Sequence, residues 1–167
     1  VYERVVHDIG IPPKSFLATD IIIIAGLRRP RGVQKQMRRI TQITEVVKDS
    51  EREGEFQDIM LYNEDLDAIV ETPALRKSYR IGEIAHSWGI TMNEAFENIK
   101  VRARIRETMV NYALQHNNHK ILTAKWVCMS NNAFWGILDK LHRSGRVNYE
   151  ELYQEWERWF IKNVRYV

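Results

Sequence analysis

The stretch Thr19-Asp-Ile-Ile-Ile-Ile-Ala-Gly-Leu27 decides the fold of the first part of this chain. Its β-branched residues are bounded by turn-forming residues, and the run is apolar at every position instead of at alternate positions. Such a run predicts a β-strand that is covered on both faces of its sheet. A second segment rich in Ile, Thr and Val spans 37–47, after a short turn that contains Pro30 and Gly32. The two segments therefore predict an antiparallel hairpin.

The segments on either side of this hairpin extend the sheet and then change to helices. Residues 1–8 predict the end of a helix that Gly10 closes, and Phe56–Tyr62 predicts a third strand. Beyond Asn63 the apolar residues follow helical spacing. The sequence thus predicts an α+β fold with two parts. Residues 1–64 form a helix and a three-strand antiparallel meander, and residues 65–167 form an all-helical module.

Capping residues predict where the later helices begin. Residues 75–88 predict one helix, and Thr91-Met-Asn-Glu94 is a capping box that opens another, which runs to about Gln115. Ser130 can cap a further helix, and Asn148 can cap the last one. The last helix carries an aromatic row that is expected to be core. Two of its members, Trp156 and Trp159, are also candidates to anchor an interface, since tryptophan is enriched there.

The helix that follows Thr91 has two apolar stripes, and one of them contains a charge. Two stripes predict that the helix packs on two sides. Arg106 falls within the first stripe, where an unpaired charge is costly. We expect it to pair with an acidic residue of the helical part, or to contact the rest of a longer protein or another subunit. The first stripe is Phe96, Ile99, Ala103, Val110 and Leu114, and the second is Val101, Ile105, Met109 and Tyr112.

Composition excludes several classes of protein. The chain has 167 residues, 44% of them hydrophobic, which is enough to bury a core, and its single cysteine rules out a disulfide scaffold. That residue, Cys128, has apolar neighbours and is expected to be a buried structural thiol. A net charge of +3 is too small to indicate nucleic acid by itself. The chain starts at Val1, in what reads as the middle of a helix, so we expect a piece of a longer protein. No charged-then-apolar leader opens it, so a cytosolic setting is expected.

A basic segment at 28–39 is the sharpest feature of the composition, because it contains six cations and no acid. It is either a solvated hairpin loop or a site for anions such as nucleotide phosphates or a nucleic-acid backbone. The last two cations begin a strand and therefore point to opposite faces, so that only one of them must find a partner against the sheet. The cations are Arg28, Arg29, Arg31, Lys35, Arg38 and Arg39.

The usual sequence signatures of catalysis and metal binding do not occur in this chain. It contains no GxxxxGK[ST] phosphate loop, no GxGxxG motif and no GxSxG elbow. His116 and His119 have a spacing that metal ligands use, but they follow a helix end without a third ligand nearby. A solvated loop is the expected structure there, and no metal site is expected.

The first third of the chain resembles the secretion-superfamily ATPases, the motors of type II and type IV secretion, type IV pili and archaella. The likeness is closest to the archaeal branch. An arginine-bearing helix, a proline turn, an apolar strand and an arginine-led strand that ends in Glu-Val follow in the family's order. Residues 79–114 resemble the family's C-terminal helical module more loosely. The segments that carry the first resemblance are 1–13 (VYERVVHDIGIPP), 14–23 (KSFLATDIII), 38–46 (RRITQITEV) and 56–62 (FQDIMLY).

The resemblance implies a place for this chain within such a motor. Residues 1–64 would complete the edge of a RecA-like ATPase domain, and 65–167 would be the C-terminal module. Arg4 matches the arginine that follows the family's histidine box, and it is a possible catalytic residue. Arg38 and Arg39 match the pair that opens a late strand, where they would contact nucleotide or a neighbouring subunit. The zinc insert of bacterial relatives needs four cysteines, so no zinc is expected.

The resemblance also implies activity and partners for a full-length parent. That parent would use ATP and Mg²⁺ and form a ring, which is expected to be a hexamer. The ring would act on a membrane platform protein at the cytoplasmic face of the membrane. The chain alone lacks the phosphate loop, so it is expected to need no cofactor and to be inactive by itself. The alternative is a nucleic-acid-binding module that uses the basic hairpin at 28–39.

Overall fold

The computed structural model of the chain describes residues 1–48, 54–143, 145 and 147–164. It has an α+β fold, with a four-stranded antiparallel sheet in the first part of the chain and α-helices in the second. The chain divides into two compact units, Val1–Ile90 and Thr91–Val167. The division that the sequence predicts lies between residues 64 and 65, before the last strand of the sheet.

The four strands are paired in chain order and form an antiparallel meander. The hairpin of β1 and β2 was predicted, and it places Ile23 opposite Ile43. The fourth strand was not predicted. It has only four residues, too few to show an alternating pattern, and its turn depends on Asp67, which has a positive φ of 48°. The strands are β1 (Ile21–Arg28), β2 (Met37–Val46), β3 (Phe56–Asn63) and β4 (Ala68–Glu71).

The two faces of β1 have different surroundings. Ile22 and Ile24 are half-buried and line a cleft with Tyr2 and Phe56. The alternate residues of the strand are exposed, including Ile23 at 59%. The prediction that both faces of this strand are covered is therefore wrong for the described residues, because nothing in them buries the second face.

The segment before β1 is a short π-helix, a proline turn and a single helical turn. The π-helix spans Arg4–Asp8, and Gly10 follows with a φ of 80°, the left-handed conformation that glycine adopts without strain. The helical turn α1 (Pro13–Phe16) brings Phe16 to within 5.1 Å of the ring of Tyr2, measured between centroids. These aromatic rings pack edge to face beside the sheet.

A buried carboxylate joins the sheet to the next helix. Glu45 on β2 has no exposed surface, and its Oε1 accepts hydrogen bonds from the Ser78 hydroxyl at 2.9 Å and from the backbone N–H of Arg80 at 2.6 Å. Its Oε2 accepts from the backbone N–H of Tyr79 at 3.1 Å. These donors lie at the N-terminus of α2 (Tyr79–Trp88), which follows a 3₁₀ turn at Pro73–Lys77. An anion is favourable there because the first amides of a helix lack intrahelical acceptors.

The helical unit consists of α3 (Met92–Gln115), α4 (Ala124–Arg143) and α5 (Tyr149–Val164). The capping box of Thr91 and Glu94 is confirmed, with both of its hydrogen bonds formed. The Asn148 cap is confirmed as well, since its side-chain oxygen accepts from the N–H of Glu150 at 3.0 Å. The Ser130 cap is wrong, because α4 begins six residues earlier. The Ser130 hydroxyl instead accepts a hydrogen bond from the Trp156 indole at 3.1 Å.

Only one of the two apolar stripes of α3 is buried. Val101, Ile105 and Met109 belong to the core of the helical unit, together with Phe134 and Trp156. The first stripe is exposed beyond Phe96, and Ile99 is 47% exposed. The expectation of packing on both sides of α3 is therefore wrong for the described residues. Cys128 is also exposed, not buried as expected.

None of the described helices combines the length and the apolar composition that crossing a lipid bilayer requires.

Candidate functional site

The arginine pair that opens β2 points to opposite faces of the sheet, as strand alternation predicts. Arg39 forms a two-pronged ion pair with Asp67, with Nε to Oδ1 at 2.7 Å and Nη2 to Oδ2 at 2.8 Å. The Tyr62 hydroxyl donates to the same carboxylate at 2.8 Å. Because Asp67 lies in the turn between β3 and β4, Arg39 ties the start of β2 to that turn. Its guanidinium is therefore largely occupied within the sheet.

The same cluster shifts the ionisation of its members. Burial raises the pKa of Tyr62, and the hydrogen bond to Asp67 and the negative charge of that carboxylate raise it further. The hydrogen bond to Asp67 raises the pKa of Arg39. Both shifts favour the states that the cluster needs, which are a protonated phenol and a charged guanidinium. The ion pair is held at neutral pH.

Arg38 has no such partner among the described residues. Its side chain is exposed and makes no hydrogen bond or ion pair with another described residue, while its neighbour across the hairpin, Leu27, is 54% exposed. Arg28 is also kept near the backbone, since its Nη1 donates to the Leu27 carbonyl at 3.0 Å. Arg38 is therefore the member of the pair that is available to bind an anion or a neighbouring molecule.

Arg4 opens the π-helix and is exposed. Its side chain forms no ion pair or hydrogen bond with another described residue. The π-helix is fixed by Val6, which is buried, and by the hydrogen bond from the Ile9 N–H to the Arg4 carbonyl at 3.1 Å. The backbone of Arg4 is thus held while its guanidinium remains available.

The candidates in the helical unit have three different environments. Trp156 has no exposed surface and stacks on Phe160 with ring centroids 5.2 Å apart, so it is a core residue and not part of a surface. Trp159 is half-buried and lines a groove between α4 and α5 with Ala133 and Gly136. Arg106 is exposed, so its charge is not buried as its place in the apolar stripe predicted.

A half-buried charge of α3, Arg102, was not predicted from the sequence. Its guanidinium lies over the rings of Phe134 and Trp135, with the central carbon 4.5 and 4.8 Å from their centroids. Its Nε donates to the Asn98 side chain at 2.9 Å, and its Nη2 is buried without a partner among the described residues. The available signal was its place one turn before Arg106 on the same side of the helix.

The described residues contain no cluster of three His, Cys, Asp or Glu side chains that could hold a metal ion. A scan against protein-family models gave no match to the chain. A search of the curated proteins also gave no match.

Proposed function

We propose that this chain is the C-terminal part of a ring-forming ATPase of the type II secretion, type IV pilus and archaellum superfamily. Its sheet would complete a RecA-like ATPase domain, and its helical unit would be the module that follows that domain. ATP and Mg²⁺ would bind to the parent protein through residues that lie outside this chain. The proposal rests on the order of arginine-bearing helix, proline turn, apolar strand and arginine-led strand in residues 1–46.

The structural observation that supports the proposal most directly is the exposed apolar face of the β1–β2 hairpin. Ile23, Leu27 and Ile40 are 59%, 54% and 45% exposed on that face. Exposed apolar patches of this kind are typical of surfaces that another chain segment or protein covers. In a RecA-like domain helices pack on both faces of the sheet, so the rest of the parent domain would cover this row.

The environments of Arg4, Arg38 and Arg39 differ, and we assign different roles to them on that basis. Arg39 is bound to Asp67 and would hold the sheet together, whereas Arg4 and Arg38 are exposed and free of side-chain partners among the described residues. A free guanidinium can stabilise the charge that develops on a transferred phosphoryl group, or it can pair with a neighbouring subunit. We therefore assign the nucleotide or subunit contact to Arg4 and Arg38. The parent ring would act on a membrane platform protein at the cytoplasmic face of the membrane.

The experiment is ATP turnover by the native polypeptide that contains this chain, with Arg4→Ala as the variant. Loss of one charge-stabilising donor is expected to lower kcat about a hundredfold without changing the melting temperature. Arg143→Ala is the matched control, because Arg143 is exposed and its one ion pair among the described residues is with Asp139 of its own helix. Unchanged turnover in Arg4→Ala would contradict the role of Arg4, and a native polypeptide without ATPase activity would contradict the proposed function.

A further inference from the structure

The face of the sheet that carries Ile22 and Ile24 contains an open cleft with a volume of about 300 Å³. A small organic molecule fits in that volume without movement of the lining residues. The register of the strands places three polar side chains on the same face. Thr44 lies opposite Ile22 on β1 and opposite Asp58 on β3, and Gln42 lies opposite Ile24. All of these residues belong to the first unit of the chain.

The rest of the lining is apolar and partly aromatic. Tyr2 and Phe56 line the cleft with their ring centroids 5.7 Å apart, and Val1 lies beside them. Aromatic rings attract both apolar groups and cations. A charge among apolar side chains also acts more strongly on its neighbours than a charge in open water does. The cleft therefore favours a ligand with an apolar body.

The hydrogen-bond donors of the polar side chains are directed at one another. Gln42 Nε2 donates to Thr44 Oγ1 at 2.9 Å and to Asp58 Oδ1 at 2.7 Å. The Thr44 hydroxyl donates to the same Oδ1 at 2.7 Å. Because an ionised carboxylate only accepts hydrogen bonds, it fixes the Gln42 amide with its nitrogen toward Asp58. The donors of Gln42 and Thr44 are thus already used.

The groups that this network leaves unused are acceptors. Asp58 Oδ2 and Gln42 Oε1 accept no hydrogen bond from another described residue. No lysine, arginine or histidine is among the described residues that line the cleft, so no side chain there balances the charge of Asp58. A ligand that donates hydrogen bonds and carries a positive charge would satisfy both the free acceptors and the charge.

We propose that this cleft binds a small organic cation, a primary ammonium group on an aromatic or aliphatic body. The ammonium group donates to Asp58 Oδ2, and the body lies against Tyr2 and Phe56. The positive charge of the ligand is the property that the site selects. This site does not depend on the function proposed above, since neither Arg4 nor Arg38 lines the cleft and no step needs ATP.

The test is a titration of the isotope-labelled chain followed by NMR, observing the Gln42 side-chain amide and the backbone N–H of Ile24. The N-terminus is acetylated, which removes the charge of the Val1 amino group from the cleft. Phenethylamine is the probe, and 2-phenylethanol and phenylacetate are its neutral and anionic counterparts, all at constant ionic strength. We expect saturable shifts with a Kd of about 1 mM for the amine. The alcohol is expected to bind about tenfold more weakly, and phenylacetate more weakly still.

The variant is Asp58→Asn, which keeps the size of the side chain and one acceptor oxygen but removes the charge. It is expected to weaken binding of the amine about tenfold and to change binding of the alcohol little. Glu71→Gln is the matched control, since it removes one negative charge from β4, outside the cleft, where its ion pair with a described residue is to Arg76.

The comparison of the three ligands uses the unsubstituted chain, so it does not depend on the folding of the variant. Amine binding that is tighter than alcohol binding, and that weakens in Asp58→Asn alone, is the expected result. Alcohol or phenylacetate binding as tight as the amine, equal weakening by both variants, or the absence of saturable shifts would each overturn the site.

Discussion

Glu45 shows how one side chain can join two elements that are far apart in the sequence. The carboxylate is fully buried, yet its oxygens accept three hydrogen bonds from Ser78, Tyr79 and Arg80. A buried carboxylate without such donors would be strongly unfavourable. The N-terminus of α2 satisfies it, because the amides of the first helical turn have no acceptors of their own. The position of α2 on the sheet therefore depends on this residue.

We predict that Glu45→Ala lowers the free energy of unfolding by about 3 kcal/mol, because three buried or half-buried donors lose their acceptor. Glu45→Gln keeps one acceptor oxygen and is expected to cost less. Urea unfolding followed by circular dichroism measures both. Glu71→Ala is the control, since that carboxylate is exposed and its one ion pair with a described residue is the 3.6 Å contact with Arg76. A loss in Glu45→Ala no larger than in this control would mean that α2 is held by other contacts.

At the same scale, the sequence predicted hydrogen bonds between residues that are close in the chain. It did not predict contacts between residues that are far apart in the chain. Thr91 and Asn148 cap helices through amides two or three residues away, so their spacing is visible in the chain. The pairing of Arg39 with Asp67 spans 28 residues and depends on the turn before β4, which was not predicted. The stacking of Arg102 on Phe134 and Trp135 joins α3 to α4, and it depends on how these two helices pack. Neither partner can be inferred from local spacing.

At the scale of elements, α3 illustrates why an apolar stripe does not by itself identify a buried face. Both of its stripes have helical spacing, and hydrophobic periodicity alone cannot distinguish between them. The stripe with Ile105 packs against α4 and α5, whereas Ile99 and Leu114 are exposed. The strand β1 behaves in the same way, because its isoleucines are apolar on both faces but only one face is half-buried. Partner elements, not the stripe, decide which face becomes core.

This difference predicts unequal effects of the same substitution on α3. Ile105→Ala is expected to lower the free energy of unfolding by about 3 kcal/mol, because it leaves a cavity in the core. Ile99→Ala is expected to cost less than about 1 kcal/mol, since half of that side chain is already in water. Thermal melts of the two variants and of the unsubstituted chain measure both effects. Equal losses would show that the stripe with Ile99 is buried in solution.

At the scale of the whole molecule, the α+β class and the antiparallel meander were predicted from β-branched and apolar runs that turn residues separate. The helical part was predicted from caps and helical spacing. The short strand β4 was missed because four residues carry too little pattern. The resemblance to secretion ATPases stays a prediction. It accounts for two features together, which are the exposed apolar face of the β1–β2 hairpin and the guanidinium groups of Arg4 and Arg38, which have no partner among the described residues.

The most direct measurement of the central claim is Mg²⁺-dependent ATP hydrolysis, compared between the purified chain and the native polypeptide that contains it. The account predicts no hydrolysis by the chain alone, because its sequence contains no GxxxxGK[ST] loop to hold the phosphates. It predicts turnover by the native polypeptide, together with a phosphate-loop lysine in the peptides recovered from it by mass spectrometry. Hydrolysis by the chain alone, or a native polypeptide that neither hydrolyses ATP nor contains a phosphate loop, would contradict the account.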